Sequence, residues 1–436
     1  MAGGERFDCV VVGAGPAGTT CAYTLAKAGL SVVLLERGET PGSKNVMGGI
    51  LYSTILNKVI PNFWEEAPVE RRIIKKMFSI LSADSELQMG MRFEDFNKPP
   101  FNNTFSVLRG KFDAWYAKKA EEAGVMLLNQ AVVDKIIMEN GKAVGVKTRL
   151  EDGDLFADMI VVAEGVSSLL AGRLGLREKQ IPEHMVTCCK EVIGLPKEVI
   201  EERFGLEGEE GASLEYFGGS VKGMVGSAFI YTNKDTISLG IGVSTKDLKY
   251  NKLTPNDLIE NFKEHPSIRR LIKGGKLLEY SAHMIPEFGY DHLPKLTMDG
   301  LITTGDAAGF VNMNPMFHEG SNLAMASGLY AAETILEAKR KNDFSEKGLA
   351  GYRRRLEGSF VFKDLKRYKG ISDFALKHPE FFKEYPELLI ELAEDFFTVS
   401  ETPKGRSRMA VIKKGLKRVD LLKLAIGMNR ARKVMF

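Results

Sequence analysis

The sequence predicts an α/β protein: a Rossmann-type dinucleotide-binding domain, an antiparallel-sheet second domain and a C-terminal helical region. Three observations predict it. A short β-branched run, Phe7 to Val12, leads into Gly13-x-Gly15-x-x-Gly18, then a helical stretch and a second apolar strand, as in a parallel βαβ unit. Nearly three hundred residues later, "DGLITTGDAAG" again reads as a strand ending in a glycine and an acid, Gly305-Asp306. Between them, Ser213 to Ser244 alternates and is glycine-rich, the pattern of antiparallel strands joined by hairpins.

The first loop has its confirming context. Buried parallel strands are continuously apolar, as Val10-Val11-Val12 is. Gly13 allows the tight turn, Gly15 lets the backbone approach a pyrophosphate, and Gly18 lets helix and strand pack closely. A helical stretch, Ala17 to Gly29, follows and offers its N-terminal N–H groups and dipole to an anion, with Pro16 and Ala17 expected among the cofactor contacts. The strand Ser31 to Leu35 ends in Glu36, eighteen residues after Gly18, suited to a ribose hydroxyl; an acid there disfavours a 2′-phosphate. The ligand is FAD or NAD.

The form G-A-G-P-A-G followed by Glu36-Arg37 resembles the glutathione-reductase-like (p-hydroxybenzoate-hydroxylase-like) flavoprotein superfamily. Such proteins touch FAD again late in the chain, so the resemblance implies that Gly305 and Asp306 meet the ribityl stem. The helix from about Gly320, with Ser321 and Asn322, would then lie near the isoalloxazine ring. Two loops thus imply one long cofactor held at both ends. No second G-x-G-x-x-G occurs between Gly110 and Gly300, so no nicotinamide site is expected.

A closer resemblance rests on three further segments, the third being "AVVDKIIMENGKAVGV" (Ala131 to Val146). "GSKNVMGGILY" (Gly42 to Tyr52) and "VLRGKFDAWYAKKAEEAGV" (Val107 to Val125) are similar to segments of the electron-transfer-flavoprotein:quinone oxidoreductases and the FixC/EtfC proteins. That likeness implies cofactor contacts at Asn45, Gly48, Gly49 and Arg109, and at Val133, whose backbone would meet adenine before a hairpin at Glu139-Asn140-Gly141. Two departures stand out: Glu164-Gly165 replaces the family's usual Asp-Gly, and "NMNPMFHEG" (Asn312 to Gly320) replaces its usual segment. His318 and Glu319 read either as proton donors for quinone reduction or as braces of their loop. Met313, Met316 and Phe317 read either as an apolar quinone slot or as packing.

At 436 residues the chain exceeds one compact core. Residues 1–80, 100–180 and 290–345 are expected to form a discontinuous FAD domain. Residues 81–99 and 181–289 would form an antiparallel substrate or quinone domain covering the flavin's reactive face, and 346–436 a helical region. Hydrophobic residues make up 44% and charged residues 27%, ordinary for a soluble globular protein. No apolar run is long enough to span a bilayer and no secretory leader precedes the first strand, so a cytoplasmic protein, peripheral on the inner face of the membrane, is expected. Cys9, Cys21, Cys188 and Cys189 include no C-x-x-C, so no iron–sulfur cluster or other metal site of its own is expected.

Mitochondrial-type quinone oxidoreductases end in a cysteine-rich ferredoxin-like domain, whereas FixC/EtfC proteins work with a separate small ferredoxin-like subunit. The resemblance therefore implies electron-transfer flavoprotein α and β subunits and that iron–sulfur subunit as partners, and a membrane quinone, menaquinone, as acceptor. The chain would then be the high-potential branch of NADH-driven electron bifurcation. The alternative is a geranylgeranyl-reductase-like flavoprotein saturating isoprenoid lipids; a flavin-bearing scaffold without activity is a third reading. Residues 404–436 hold eleven basic residues against one acid, Asp420, while the rest hold 49 basic and 56 acidic. Ile412, Leu416, Val419, Leu422 and Ile426 would share one helical face, which suits either anionic lipid or a partner subunit. No nucleic-acid motif accompanies the charge, so nucleic acid is not an expected partner.

Overall fold

In the computed structural model, the strand Arg6–Val12 lies at the centre of a parallel sheet. The structure describes residues 6–44, 49–151, 153–177, 185–286, 289–314 and 317–435. Val32–Leu35 and then Met126–Leu128 lie on one side of the central strand, and Asp154–Val162 and then Leu301–Thr303 on the other, all parallel. The sheet thus grows outward in both directions from the first strand, and the chain changes direction beside it. Alternate residues of the central strand enter different cores: Cys9 and Val11 pack with Leu34, Met159 and Ile302, while Val10 and Val12 pack with Val33, Ile160 and Leu301. Burial on both faces is why this run carries no polar alternation. Asn140 and Gly141, at φ 47° and 81°, close the expected two-residue hairpin between Val133–Glu139 and Lys142–Thr148.

These elements belong to one compact unit: Met1–Arg71, Pro99–Met185 and Met284–Lys366. Within it, helix Pro16–Lys27 packs against helix Ser321–Lys341, backbone to backbone where Ala17 meets Gly328. A Cβ on Gly328 would stand 2.1 Å from the Ala17 carbonyl oxygen, and one on Gly305 would stand 2.9 Å from Ala17 Cβ. Two loops 290 residues apart in the chain are therefore backbone neighbours.

The other unit comprises Arg72–Lys98, Val186–His283 and Arg367–Phe436. Strands Met185–Gly194, Thr236–Ser244, Gly226–Thr232 and Glu210–Gly218 follow one another antiparallel, and Glu210–Gly218 then pairs in parallel with Val69–Leu81. One face of this sheet buries Cys189, Leu214, Ala228, Ile230, Leu239 and Ile241 against helices Lys197–Phe204 and Pro255–Glu264. Thr254 and Asp257 form a capping box at the start of the second of these helices.

Two sequence expectations need correction. The stretch after 346 is not one region: through Lys366 it belongs to the first unit, and from Arg367 to the second. The basic tail is not one continuous helix either. Helix Lys404–Arg418 stops at Val419, whose φ of −111° and ψ of 127° are extended, and Asp420 starts a new helix, Leu421–Met435. The Asp420 carboxylate accepts the Leu422 and Lys423 N–H groups, both at 3.0 Å. An aspartate at this position stabilises a new helix start more than it tolerates a helix interior. Lys414 and Arg418 pair with Glu391 on helix Glu384–Phe397, fixing one side of the first tail helix. Met409, Ile412 and Leu416 on its other side each remain 52% exposed.

A side chain at position 328 would push the two site-forming helices apart. Gly328→Leu should lose about 1–3 kcal/mol of stability, read as a lowered melting temperature, together with FAD retention on purification.

Candidate flavin-binding site

The topology carries the candidate residues to one edge, because every parallel strand of the first unit ends on the same side. Arg6–Val12 runs into the glycine loop, Val32–Leu35 into Glu36, Asp154–Val162 into Glu164, and Leu301–Thr303 into Gly305-Asp306. Gly13, at φ +105°, turns where a Cβ would strike the Ala163 carbonyl at 2.3 Å. A Cβ on Gly18 would come within 1.9 Å of the Gly13 oxygen. At Gly15, the cap of helix Pro16–Lys27, a Cβ would meet nothing within 4 Å. That is the open approach a pyrophosphate needs at a helix N-terminus.

Glu36 ties the loops together before it meets any ligand. Its Oε2 accepts the Ala14 N–H at 3.3 Å and its Oε1 the Gly38 N–H at 2.6 Å. Each oxygen has a further lone pair for a ribose hydroxyl. Arg37 beside it is exposed. Val133 opens its hairpin half-buried, opposite Thr148. Asn45, Gly48 and Met316 lie outside the described residues, as does the Met313 side chain; Gly49 begins strand Gly49–Tyr52, opposite Val107. Gly42, at φ +87°, brings the loop before that strand onto helix Arg109–Glu122: a Cβ there would stand 2.6 Å from the Arg109 carbonyl oxygen.

Arg109 donates twice to the buried Asp113, through Nε at 2.8 Å and Nη2 at 2.7 Å. Burial opposes its charge, but Asp113 and then Asp306 outweigh that and raise its pKa above the ordinary arginine value. Its fork is thus half spent within the protein, and the remaining N–H groups are what a phosphate could use. Asp306 sits in the turn Gly305–Ala308, where burial raises its pKa and Arg109 and Arg177 offset only part of the rise. Ser327 anchors the turn, accepting the Gly305 N–H at 3.1 Å and the Thr304 hydroxyl at 2.7 Å.

Glu164, whose role the sequence left open, caps helix Leu169–Arg173. Its Oε1 accepts the Leu170 N–H at 2.9 Å and the Ala171 N–H at 3.0 Å. Burial still raises its pKa, the backbone donors and Arg177 acting the other way. Arg177 is a member of the site that sequence reasoning missed. Burial pulls its pKa down to about 10, while Glu164 and Asp306 support its charge. Nothing in "LGLRE" marks it; only folding brings it beside those acids.

Asn312–Asn314 and Phe317–Glu319 pair as a two-stranded antiparallel sheet just before helix Ser321–Lys341, whose cap is Gly320. Glu319 accepts the side-chain amides of both Asn312 and Asn322 and so ties its strand to the start of the helix. His318 is half-buried opposite Met313 in the pairing, and Phe317 is exposed. Among the described residues no group of three or more His, Cys, Asp or Glu could hold a metal, and the four cysteines are buried and unbridged.

These residues fit FAD: an open helix start for the pyrophosphate, a strand-end acid for the ribose, and a second anchored acid at the far loop. The folded pKa of Asp306 lies above its unfolded value, so its ionised form costs the FAD-free protein stability at neutral pH, a cost that fades on acidification. Asp306→Asn should therefore melt higher than wild type without FAD at pH 7, the gap closing toward about pH 4. Its FAD affinity, read by fluorescence titration, should fall on the order of tenfold to a hundredfold.

Comparisons with known proteins show the family. Residues 8–172 match the FAD dependent oxidoreductase family, and residues 371–436 match the ETF-QO/FixC family C-terminal domain. The chain is 44% identical to Protein FixC of Bradyrhizobium diazoefficiens over 416 residues, 95% of each chain, and 40% identical to Protein FixC of Escherichia coli K12 over 414 residues, again 95% of each. It is 39% identical over 408 residues, 94% of each chain, to the E. coli K12 protein named "Probable electron transfer flavoprotein-quinone oxidoreductase YdiS". Among solved structures, a geranylgeranyl bacteriochlorophyll reductase-like protein from Thermoplasma acidophilum superposes with a TM-score of 0.71 at 21% identity, covering 96% of this chain and all of that one. The flavin-dependent brominase Bmp2 gives 0.65 at 19%, covering 95% and 100%. The last two show a likeness of fold alone; the relatives are similar in sequence over nearly the whole chain, which belongs to the FixC family of FAD-dependent oxidoreductases.

Proposed function

We propose that this chain receives electrons from an electron-transfer flavoprotein, with a small ferredoxin-like iron–sulfur subunit alongside, and delivers them to membrane menaquinone. In an NADH-driven complex it would form the high-potential branch of electron bifurcation. The observation that carries this reading is identity of 40–45% with FixC proteins over nearly the whole chain, together with the shared C-terminal domain. The geranylgeranyl-reductase alternative has only a fold likeness behind it.

FAD, when bound, supplies the redox chemistry, accepting and releasing electrons singly or in pairs. The chain's residues would hold and tune it. The glycine loop and helix Pro16–Lys27 take the pyrophosphate, and Glu36 takes the adenosine ribose. Arg109 adds positive charge and Asp306 holds the ribityl hydroxyls. The start of helix Ser321–Lys341 places its positive dipole end where negative charge on a reduced ring is stabilised.

No helix among the described residues is long and apolar enough to cross a membrane. The tail supports a peripheral contact with the inner face of the cell membrane. Lys413 and Lys417 each follow a residue of the exposed Met409–Ile412–Leu416 stripe, and basic residues near an anionic surface contribute about 1 kcal/mol each.

Mixing the purified protein with reduced electron-transfer flavoprotein and its iron–sulfur partner should bleach the flavin, and a menaquinone analogue should restore its colour. Loss of isoprenoid double bonds without quinone reduction would favour the reductase alternative instead. On vesicles containing anionic lipid, Lys413→Glu and Lys417→Glu should each weaken binding by about fivefold or more, leaving FAD content unchanged. Equal binding to neutral vesicles would assign the tail to a protein partner.

A further inference from the structure

Two side-chain amides converge on one carboxylate at the start of helix Ser321–Lys341. Glu319 Oε2 accepts Asn312 Nδ2 at 3.0 Å, and Glu319 Oε1 accepts Asn322 Nδ2 at 2.8 Å. A carboxylate only accepts, so both amides must present their NH2 ends to it and neither can turn over. The two asparagines then differ. Asn312 Oδ1 receives the Asn314 backbone N–H at 3.2 Å, whereas no described residue donates to Asn322 Oδ1, although that atom is buried. The Asn322 residue is only 6% exposed. Buried amide oxygens are seldom left this way without a ligand or a water to serve them. Asn322 is the second residue of a 21-residue helix, and its cap, Gly320, has open space where a Cβ would stand.

We propose that Asn322 Oδ1 accepts a hydrogen bond from the ring N3–H of bound FAD, and that Glu319 is the positioning residue that holds the amide in that orientation. The inference rests on the reading that this helix start faces the ring end of the cofactor. An oxidised isoalloxazine has several acceptors but one N–H donor, at N3. The first turn of a helix offers free N–H groups, which suit the acceptors and cannot serve that donor. An asparagine oxygen can, provided its NH2 is held elsewhere. Replacing Glu319 by glutamine would set an NH2 against one of the two amides; Asn322 could then turn over and present a donor to a donor.

The test uses the full chain freed of flavin and titrated with FAD and with FAD methylated at N3. Asn322→Leu should weaken FAD binding about tenfold and leave binding of the N3-methyl analogue nearly unchanged. Without FAD its melting temperature should match or exceed wild type, since a buried acceptor without a donor has been removed. Glu319→Gln should weaken FAD binding in the same direction, while Asn312→Ala, which leaves the Glu319–Asn322 bond in place, should weaken it least. Equal weakening toward both flavins would overturn the N3 contact while leaving the helix at the cofactor. Unchanged FAD affinity in Asn322→Leu would overturn the proposal outright and assign the oxygen to an internal water. A lowered flavin-free melting temperature with unchanged affinity would reduce the cluster to a structural brace.

Discussion

The close approach of Ala17, Gly305 and Gly328 is the constraint on which the rest of the first unit depends. Helix Pro16–Lys27 begins at one end of the expected cofactor site and helix Ser321–Lys341 at the other, and their backbones touch because no Cβ intervenes. Close packing transmits small displacements, so a shift of about an ångström here would move both anchor loops at once. Ser327 extends the same contact to Asp306 by accepting both the Gly305 N–H and the Thr304 hydroxyl. A long coenzyme can then be held at two points whose spacing the protein sets in advance.

Around that contact the charges are arranged in advance as well. Three parallel strand ends deliver Glu36, Glu164 and Asp306 beside the glycine loop at the end of a fourth, a crowding of acids that would repel a dinucleotide if left alone. Two of them are partly spent on backbone N–H groups: Glu36 on Ala14 and Gly38, Glu164 on the start of helix Leu169–Arg173. Arg109 and Arg177 supply the balancing cations, and burial strains both sides of that balance, raising Asp306 and lowering Arg177. The site is thus poised for a ligand that brings hydroxyl donors to the acid and anionic oxygens to the arginines.

The second unit makes a different use of charge. In its tail, the lone acid Asp420 ends one helix pattern and caps the next, so a single predicted stripe becomes two shorter ones. Lys414 and Arg418 are consumed in docking onto Glu391, which leaves the neighbouring apolar stripe facing outward with other basic residues beside it. A count of basic residues could not distinguish those that hold the helix in place from those offered to a partner.

What the sequence determined by itself was the element order and the chemistry at strand ends. Apolar periodicity and glycine spacing are local, and Gly13 and Gly18 stand where short-range rules put them, whereas Asp306 is expected only through the superfamily resemblance. The family likeness was legible for the same reason, because it rests on contiguous segments such as "GSKNVMGGILY". Only the tertiary structure decided which side chains meet. Arg177 joins Glu164 and Asp306, Glu319 gathers two asparagines, and Gly328 touches Ala17, and no periodicity records such meetings. Burial and pairing are properties of neighbours far apart along the chain, and folding is what makes them neighbours.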